Sequence, residues 1–569
     1  MINDMKRWTI QKHNHDEVKL LANALKVSPI VAALLISRGY ETEEKAHQFL
    51  NPSIEHLHEP YLLKDMKTAV RRILKAIETG EKILVWGDYD VDGTTGTVVL
   101  RKALEILGAK TIFHIPHRFT EGYGINIPEL EKAKERGCSL VISVDCGARS
   151  YAPVAWAKDN GVDFIVTDHH LPDEANENPV ALAVVNPNQT DCEYPDKNLA
   201  GVGVAFKLAH ALLREKDREK LVKGFLKVVA IGTIADVMKL TGENRAIVAL
   251  GLKDLPKAVN YGLKALMEVA DCTGEMSSYD IGFRIAPRIN AAGRMDAARH
   301  VVELLETTDF DEARSIAEML NSRNRERQKI QQEITALAFL ETREITNKNF
   351  IVVAGEGWHR GVIGLAASKI AEKLYRPTIV LSLENGIAHG SARSIAGYHL
   401  LNGLDSCGEL FEQYGGHAAA AGMQIRRENI EQLQAKLNDH ATANLAAEDL
   451  IPELKIDAVV SSNTLSLNLV QELKRFEPFG MGNPKPRFLT RDLFLTSEPY
   501  VMKEKHLKLK LADKDGKQFE AVWWDGVDKS REQTLKPKTG IELAYTPDAN
   551  TWNGNTRLQL VVEDLKTGN

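Results

Sequence analysis

Residues 82–96 read KILVWGDYDVDGTTG. Ile83 to Trp86 is a short apolar run bounded by polar residues and glycine, the pattern of a buried strand. Three carboxylates follow at alternate positions, Asp88, Asp90 and Asp92, and beyond Gly93-Thr94-Thr95-Gly96 the apolar residues Val98, Val99, Leu104 and Leu107 have helical spacing. Acids packed this closely repel one another. Keeping all three ionised at a strand end requires compensating positive charge, which a divalent cation supplies. Two plainer readings compete. One is an acidic surface turn. The other is a calcium loop, because D-x-D-x-D-G matches the first six positions of an EF-hand. The twelfth position of such a loop is Glu and here is Val99, and the flank is a strand instead of a helix. A metal centre needs further ligands from elsewhere in the chain.

Working outward, strand-like runs recur at 111–115, 140–144, 164–167 and 181–185, with helical segments between them. One helix opens at Asn126 with Pro128 just inside its start. This alternation predicts a mostly parallel sheet with helices on both faces. In such sheets ligands sit beyond the carboxyl ends of the strands. The sequence meets that demand. Val144 is followed at once by Asp145, in SVDCG, and Thr167 by Asp168, His169 and His170. A helical apolar run from Leu226 to Ile234 ends in Ala235-Asp236. A single Asp at a strand end usually caps a helix, and a His pair in a turn usually faces solvent. Three coincident strand ends favour a metal site.

Composition narrows the class. A chain of 569 residues, 44% hydrophobic and 26% charged, is long enough for several globular domains. The net charge of −6 argues against a uniformly basic nucleic-acid coat, but a cluster of Asp lowers the sum without excluding a local basic groove. The five cysteines, Cys138, Cys146, Cys192, Cys272 and Cys407, form no C-x-x-C pair, so neither a zinc knuckle nor a disulfide framework is indicated. A reduced, cytoplasmic setting is the simplest expectation. No signal-peptide pattern opens the sequence, and the early apolar run 30–36 is too short to span a bilayer, so no membrane association is expected.

The D-x-D-x-D at 88–92, VDCG from Val144, DHH at 168–170 and Asp236 in IADVMKL together resemble the DHH phosphoesterase superfamily, and within it the branch of single-strand-specific 5′-to-3′ DNA exonucleases. PHRFTEGYG (116–124), RINAAGR (288–294), GWHRGVIG (357–364), SAR (391–393) and YGGH (414–417) extend the resemblance from about residue 80 to the C-terminus. It implies metal ligands at Asp90, Asp92, Asp145, His169 and Asp236, with Asp145 bridging two ions. Asp88 and His170 belong to the same motifs, as ligand and catalytic group, and Asp168 orients a neighbouring His. It also implies substrate contacts from Arg118, Arg288, Asn290, Arg294, His359, Arg360, Ser391, Arg393 and His417. One departure concerns the small phosphatases of the superfamily, which often carry a His before the first Asp pair. Here that region reads Val85-Trp86-Gly87-Asp88. Carboxylates with one or two imidazoles suit Mg²⁺ or Mn²⁺, and the imidazole tilts the choice toward Mn²⁺. Two such ions suit an in-line phosphoryl displacement without a protein nucleophile. The G-V-G at 201–203 lacks the further glycine of a dinucleotide loop.

The remaining chain falls into expected regions: an N-terminal helical region (1–75), a catalytic DHH domain (76–305), a connecting helix (306–348), a smaller α/β DHHA1 domain (349–450) and a barrel (451–569), by resemblance an OB-fold. The helix is polar all round from Asn321 to Lys329, where Arg323, Arg325, Arg327 and Lys329 either face solvent or line a nucleic-acid path. The glycine-rich turn at 355–364 suits phosphate binding by backbone N–H groups. In the barrel, alternating runs at 507–511, 519–523 and 557–562 offer Trp523, Trp524, Lys508 and Lys510 as strand contacts, or the Trp pair as core. The expected activity is metal-dependent 5′-to-3′ digestion of single-stranded DNA in recombination and repair, by a monomer. A single-strand-binding protein and a helicase are partners by family resemblance only. Two rivals remain. A DHH enzyme for short oligonucleotides or small phosphate compounds would resemble only the two catalytic halves. A non-catalytic single-strand-binding scaffold would lack ligands that are present here.

Overall fold

The alternation after residue 82 folds into a five-stranded, all-parallel sheet of spatial order Lys110–His114, Lys82–Trp86, Cys138–Val144, Asp163–Thr167, Ala183–Val185. The chain order reverses between the first and third strands, which is the switch point where such sheets bind ligands. Register aligns the ends that matter: Trp86 pairs with Ser143, and Val144 with Thr167. Both faces are covered, so the strands read as continuous apolar runs instead of alternating ones. Ile83, Val85, Leu140, Ile142 and Val144 pack against helices Met66–Thr79, Val91–Ile106 and Gly201–Glu215. Leu84, Trp86, Val141, Phe164 and Val166 pack against Ile127–Glu135 and Tyr151–Asp159. Asn126 caps the first of these two helices by accepting the Glu129 N–H at 3.0 Å. A second core of helices between Leu226 and Leu320 follows.

The computed structural model describes residues 6–118, 120–122, 124–173, 178–294, 298–342, 348–531 and 533–567. These fall into two compact units. One comprises residues 14–324 with 471–485; the other comprises residues up to 13, 325–470 and from 486 onward. The N-terminal region departs from the helical expectation. His15–Leu25, Pro29–Ser37 and Glu43–Leu50 are helices, but Arg7–Ile10 is a strand pairing in parallel with Glu453–Ile456. The reason is a period of two: Trp8 and Ile10 share one face and pack on Leu454, Ile456, Leu489 and Ala544. The Trp8 Nε1–H donates to Asp564 at 2.7 Å. The long helix runs Phe310–Thr342, and Asp309 accepts the N–H groups of Asp311 and Glu312 at its start. Its expected continuation through 343–347 lies outside the described residues. Among the described residues no single helix is long and apolar enough to cross a membrane.

The second unit contains a mixed sheet ordered Phe411–Gly416, Ala420–Arg426, Ile387–Arg393, Thr378–Glu384, Ile351–Glu356, in which only the last pair is parallel. Helix Arg360–Leu374 packs on it through Val362, Ile363, Ala366 and Ile370. The barrel closes when Phe488–Leu495 pairs with both His506–Asp513 and Gly540–Trp552. It is antiparallel except where Gln518–Trp523 runs parallel to Asn555–Thr567 and the short strand Ala458–Val459 runs parallel to Phe488–Leu489. Trp523 lies in its core, whereas Trp524 is exposed and meets His506 edge-on at 4.9 Å. Trp523 is therefore removed from the candidate strand contacts.

Residues 471–485 return to the first unit, and Arg245 receives them. Its buried guanidinium donates to the carbonyls of Phe49 (2.8 Å), Arg475 (3.1 Å), Phe476 (2.8 Å) and Glu477 (2.9 Å). Burial lowers its pKa to about 10, which still leaves it charged. Arg245→Ala leaves four carbonyls without their donor and is expected to cost about 3–5 kcal/mol in chemical denaturation. Arg245→Lys should recover only part, because one ammonium cannot serve four diverging acceptors. An alanine variant as stable as wild type would remove Arg245 from this role.

Candidate metal centre

Asp90, Asp92, Asp145 and Asp236 each stand at the end of a helix or strand. Asp90 is the N-cap of helix Val91–Ile106, with Oδ1 accepting the Gly93 N–H at 3.0 Å. Asp92, in the first turn of that helix, is fully buried. Its two oxygens accept the N–H groups of Gly201 (2.6 Å) and Val202 (2.8 Å), at the start of helix Gly201–Glu215. A helix N-terminus stabilises a carboxylate, so this is a supported position for it. Gly201 has to be glycine, since a Cβ there would come within 2.5 Å of Asp145 Oδ1. Asp145 follows its strand with φ +63, a left-handed backbone that Asp tolerates better than most residues. Its N–H donates to Thr167 O at 3.0 Å. Asp236 stands at the C-cap of helix Leu226–Ala235, the negative end of the helix dipole.

These groups converge. His169 Nε2 lies 3.2 Å from Asp145 Oδ1, 3.6 Å from Asp236 Oδ2 and 3.7 Å from Asp92 Oδ2. Three overlapping sets have ligand atoms within 4.8 Å of one another: Asp88–Asp90–Asp145, Asp92–His169–Asp236, and Asp145–His169–His170. Burial, then the neighbouring charges, pushes the acids upward. Asp88 rises to about 8 with Asp90 beside it, Asp236 to about 7, and Asp92 and Asp145 lie well above the usual carboxylate range. Asp88 Oδ1 and Asp145 Oδ1 are buried and accept no hydrogen bond from any described residue. Unsatisfied carboxylate oxygens around an imidazole fit a divalent cation of the Mn²⁺ or Mg²⁺ kind.

The two histidines differ. Burial lowers His169 to about 4, so it is neutral and has a lone pair to give. Burial also works against charge on His170, but the hydrogen bond and charge of Asp168, with Asp236 and Asp92 behind it, carry it up to about 9. Asp168 Oδ1 meets His170 Nδ1 at 2.8 Å and also accepts the N–H groups of His169 (2.7 Å) and His170 (3.1 Å). Its Oδ2 accepts the Ala148 N–H at 2.8 Å. Asn186 and Asn188 hold this turn by donating to the carbonyls of His170 (2.8 Å) and His169 (2.6 Å). Sequence reasoning missed both asparagines. Their signal was a polar pair directly after the fifth strand.

Beside the acids lies a cleft of about 290 Å³ lined by Asp88, Tyr89, Asp90, Arg118, Asn290, Gly293 and Arg294. It joins three of the expected substrate residues, Arg118, Asn290 and Arg294, and adds Tyr89, over whose ring the Arg118 guanidinium lies at 5.1 Å. Arg288 does not line it. Its guanidinium donates to Asn321 (3.1 Å), to Val269 O (3.1 Å) and to Arg284 O, joining helices instead of facing substrate. Phe119 and Tyr123 of the same expected motif lie outside the described residues.

In the second unit, Ser391 and Arg393 share one face of strand Ile387–Arg393 with His389, which the sequence reading overlooked although it sits at the same alternate spacing. Arg393 Nη1 is 3.1 Å from Ser391 Oγ and donates to Ala392 O at 2.7 Å. Helix Arg360–Leu374 covers both residues: a Cβ on Gly364 would reach Ser391 Oγ at 2.8 Å and Arg393 Nη2 at 3.2 Å. His359 caps that helix by accepting the Gly361 N–H at 3.1 Å, and Arg360 pairs with both oxygens of Glu384. His417 accepts the Ala419 N–H at 3.3 Å, in the turn before Ala420, the register partner of Arg393. A hydroxyl, a guanidinium and a helix N-terminus thus gather at one end of this sheet, a set of donors suited to an anion.

A parallel sheet whose switch point gathers five carboxylates and two imidazoles defines a metal-dependent phosphoesterase of the DHH class. The family comparisons agree: the DHH family N-terminal domain matches residues 82–233, the DHHA1 domain 347–443 and the RecJ OB domain 456–564. The chain belongs to the RecJ family. It is 40% identical over 571 residues to the single-stranded-DNA-specific exonuclease RecJ of Bacillus subtilis strain 168, covering 99% of this chain and 71% of that protein. The crystal structure of Thermus thermophilus RecJ in complex with Mn²⁺ matches with a TM-score of 0.85 at 30% identity, over 100% of this chain and 80% of that one. The Mg²⁺ complex from the same organism matches at 0.79 and 29%, over 99% and 79%.

The raised carboxyls set the pH dependence of metal binding. Asp88 and Asp236 hold protons up to about 8 and about 7, so a cation must displace them at neutral pH. Their folded pKa values lie above the unfolded ones, so the stability they give is full below the ordinary carboxylate pKa and is lost progressively as pH rises from there through 7–8. Calorimetry in buffers of different ionisation enthalpy should show proton release on Mn²⁺ binding near neutral pH. The Mn²⁺-induced gain in melting temperature should be larger at about pH 8.5 than at about pH 6. Equal gains with no proton release would contradict this account.

Proposed function

We propose that this chain hydrolyses phosphodiester bonds of single-stranded DNA from the 5′ end, using two divalent cations. The observation that carries the reading is the overlap of ligand sets at one sheet edge, with Asp145 and His169 each belonging to two of them. Asp88, Asp90 and Asp145 would hold one ion, and Asp92, His169 and Asp236 the other. Ions bound there would supply charge neutralisation at the scissile phosphate and a lowered pKa for the attacking water. Asp168 keeps His170 protonated beside the same carboxylates, where it can hand a proton to the departing oxygen. Arg118, Asn290 and Arg294 line the adjoining cleft and orient the strand's phosphates. The barrel favours a polymeric substrate over the small phosphate compounds of shorter DHH enzymes, and the full ligand set favours catalysis over scaffolding.

End-labelled single-stranded DNA should be digested with Mn²⁺ or Mg²⁺ and preserved by chelator. A blunt duplex should resist, and a 5′ tail should be removed to near its junction. Asp145→Ala should lose cleavage with single-strand binding retained. Normal turnover of Asp145→Ala, or equal rates on duplex and single strand, would refute the proposal.

Arg393 with Ser391 is proposed to clasp the terminal 5′-phosphate. Glu384 on the neighbouring strand pairs with Arg360 through both carboxylate oxygens. Loss of a bidentate guanidinium–phosphate contact costs about 1.5–3 kcal/mol, a roughly ten- to hundred-fold loss of affinity. Wild type should prefer 5′-phosphorylated over 5′-hydroxyl oligonucleotides, and Arg393→Ala should abolish that preference. A variant slowed equally on both ends would show that Arg393 does not read the phosphate.

A further inference from the structure

The unit that carries the acids displays two aromatic rings that its chemistry does not use. Helical residues Ser278–Asp280 pass through a π turn, Ile281–Ile285, into helix Ala286–Arg294. Tyr279 and Phe283 lie four residues apart, stacked at 4.7 Å between centroids and 25° between planes. They are 61% and 69% exposed. Rings of this size normally bury a large area, so leaving two side by side in water costs stability unless something covers them. The fold does not need them to hold the turn. Ser277 and Asp280 cap each other reciprocally, and Ser278 Oγ donates to Phe479 O. A π turn is rare and tends to mark functional places.

Position decides what covers the rings. Gly282, one residue before Phe283, abuts helix Leu226–Ala235: a Cβ there would lie 3.9 Å from Ile234 Cγ2, two residues before Asp236. At the other end of the same helical stretch, Asn290 and Arg294 enter the cleft shared with Asp88 and Asp90. The rings are therefore carried on a scaffold continuous with the metal centre on one side and with the adjoining cleft on the other. Val237, next after Asp236, adds a further exposed apolar side chain in a left-handed backbone, φ +57. A near-parallel aromatic pair presents a flat π-face, which accepts any nucleobase without regard to its identity. A protein partner would find two rings and a valine, but no continuity with the acids would be required of it.

We propose that Tyr279 and Phe283 form a stacking site for one unpaired nucleobase of the strand whose backbone lies at the carboxylates. The proposal rests on the nuclease reading above. It follows that the enzyme senses a missing base at one fixed distance from the scissile bond. The test is hydrolysis of 5′-phosphorylated oligonucleotides in which a single abasic site is moved along the first several nucleotides. Wild type should show a rise in KM of roughly ten-fold at one position, because stacking on an aromatic contributes appreciably per base. Tyr279→Ala/Phe283→Ala should carry that penalty on the intact oligonucleotide and show no further penalty when the base is removed. Phe283→Trp should restore the wild-type profile. The melting curve and Mn²⁺-binding heat of the double variant serve as folding controls, and Phe283→Ala alone replaces it if the double variant is unfolded. An unchanged abasic profile in the variant, or a flat profile in wild type, overturns the stacking site and leaves the patch to a protein partner. If wild type does not digest single strands at all, the nuclease reading falls together with it.

Discussion

Mutual repulsion among buried carboxylates is the constraint on which the rest of this structure depends. Asp88, Asp92 and Asp145 are almost wholly enclosed, and Asp236 borders them at the unfavourable end of a helix. No arrangement of water alone would keep so many negative charges together in a low-dielectric site. The fold meets part of the demand with fixed dipoles. The N-terminal amides of helix Gly201–Glu215 hold Asp92, and the first turn of Val91–Ile106 holds Asp90. It leaves the remainder for cations, because Asp88 Oδ1 and Asp145 Oδ1 receive no donor from the described residues. Metal affinity is thus prepared by what the protein declines to satisfy.

That arrangement demands a rigid frame, and the sheet supplies it. The strand ends that bear the acids are in register across the switch point, so their loops start from fixed places. Asp236 arrives differently, on a helix. The chain turns at Asp236 and Val237 and runs on to Leu240, whose N–H donates to Met481 O at 2.8 Å. Met481 belongs to the returning segment that Arg245 grips. The fourth acid is therefore braced by residues more than two hundred positions away in sequence.

The strands and helices of the first sheet were legible because their signals are local: apolar runs, glycine-rich turns, and Asn126 ahead of Pro128. The acids at 88–92, 145 and 236 and the pair of histidines were legible for the same reason, standing at strand or helix ends. What escaped depends on contacts between distant segments. The strand at Arg7–Ile10 completes its hydrogen bonding only with Glu453–Ile456, far off in the sequence. Arg288 looked like a substrate residue within RINAAGR, but its guanidinium turns to Asn321 and Val269. The G-V-G at 201–203 lacked a nucleotide-loop pattern, and only the structure shows that its amides serve Asp92 and that Gly201 admits Asp145. Trp523 and Trp524 were indistinguishable as a pair; the pleat of the barrel sends one inward and the other out.

The adjacent histidines show how fine this dependence is. His169 and His170 are the same residue one position apart, yet one is held neutral and the other charged. Asp168 makes the difference. By hydrogen-bonding His170 Nδ1 it stabilises the imidazolium there, and that charge adds to the burial that keeps the His169 ring neutral. The neutral ring can give a lone pair to a cation and the charged one can give a proton, two tasks that one histidine cannot perform at once. The order Asp-His-His is therefore a physical requirement. Moving the carboxylate to the other side of the pair would charge the ring that faces Asp92, Asp145 and Asp236, and a protonated imidazole there would neutralise the acids by itself and compete with the cation for its site.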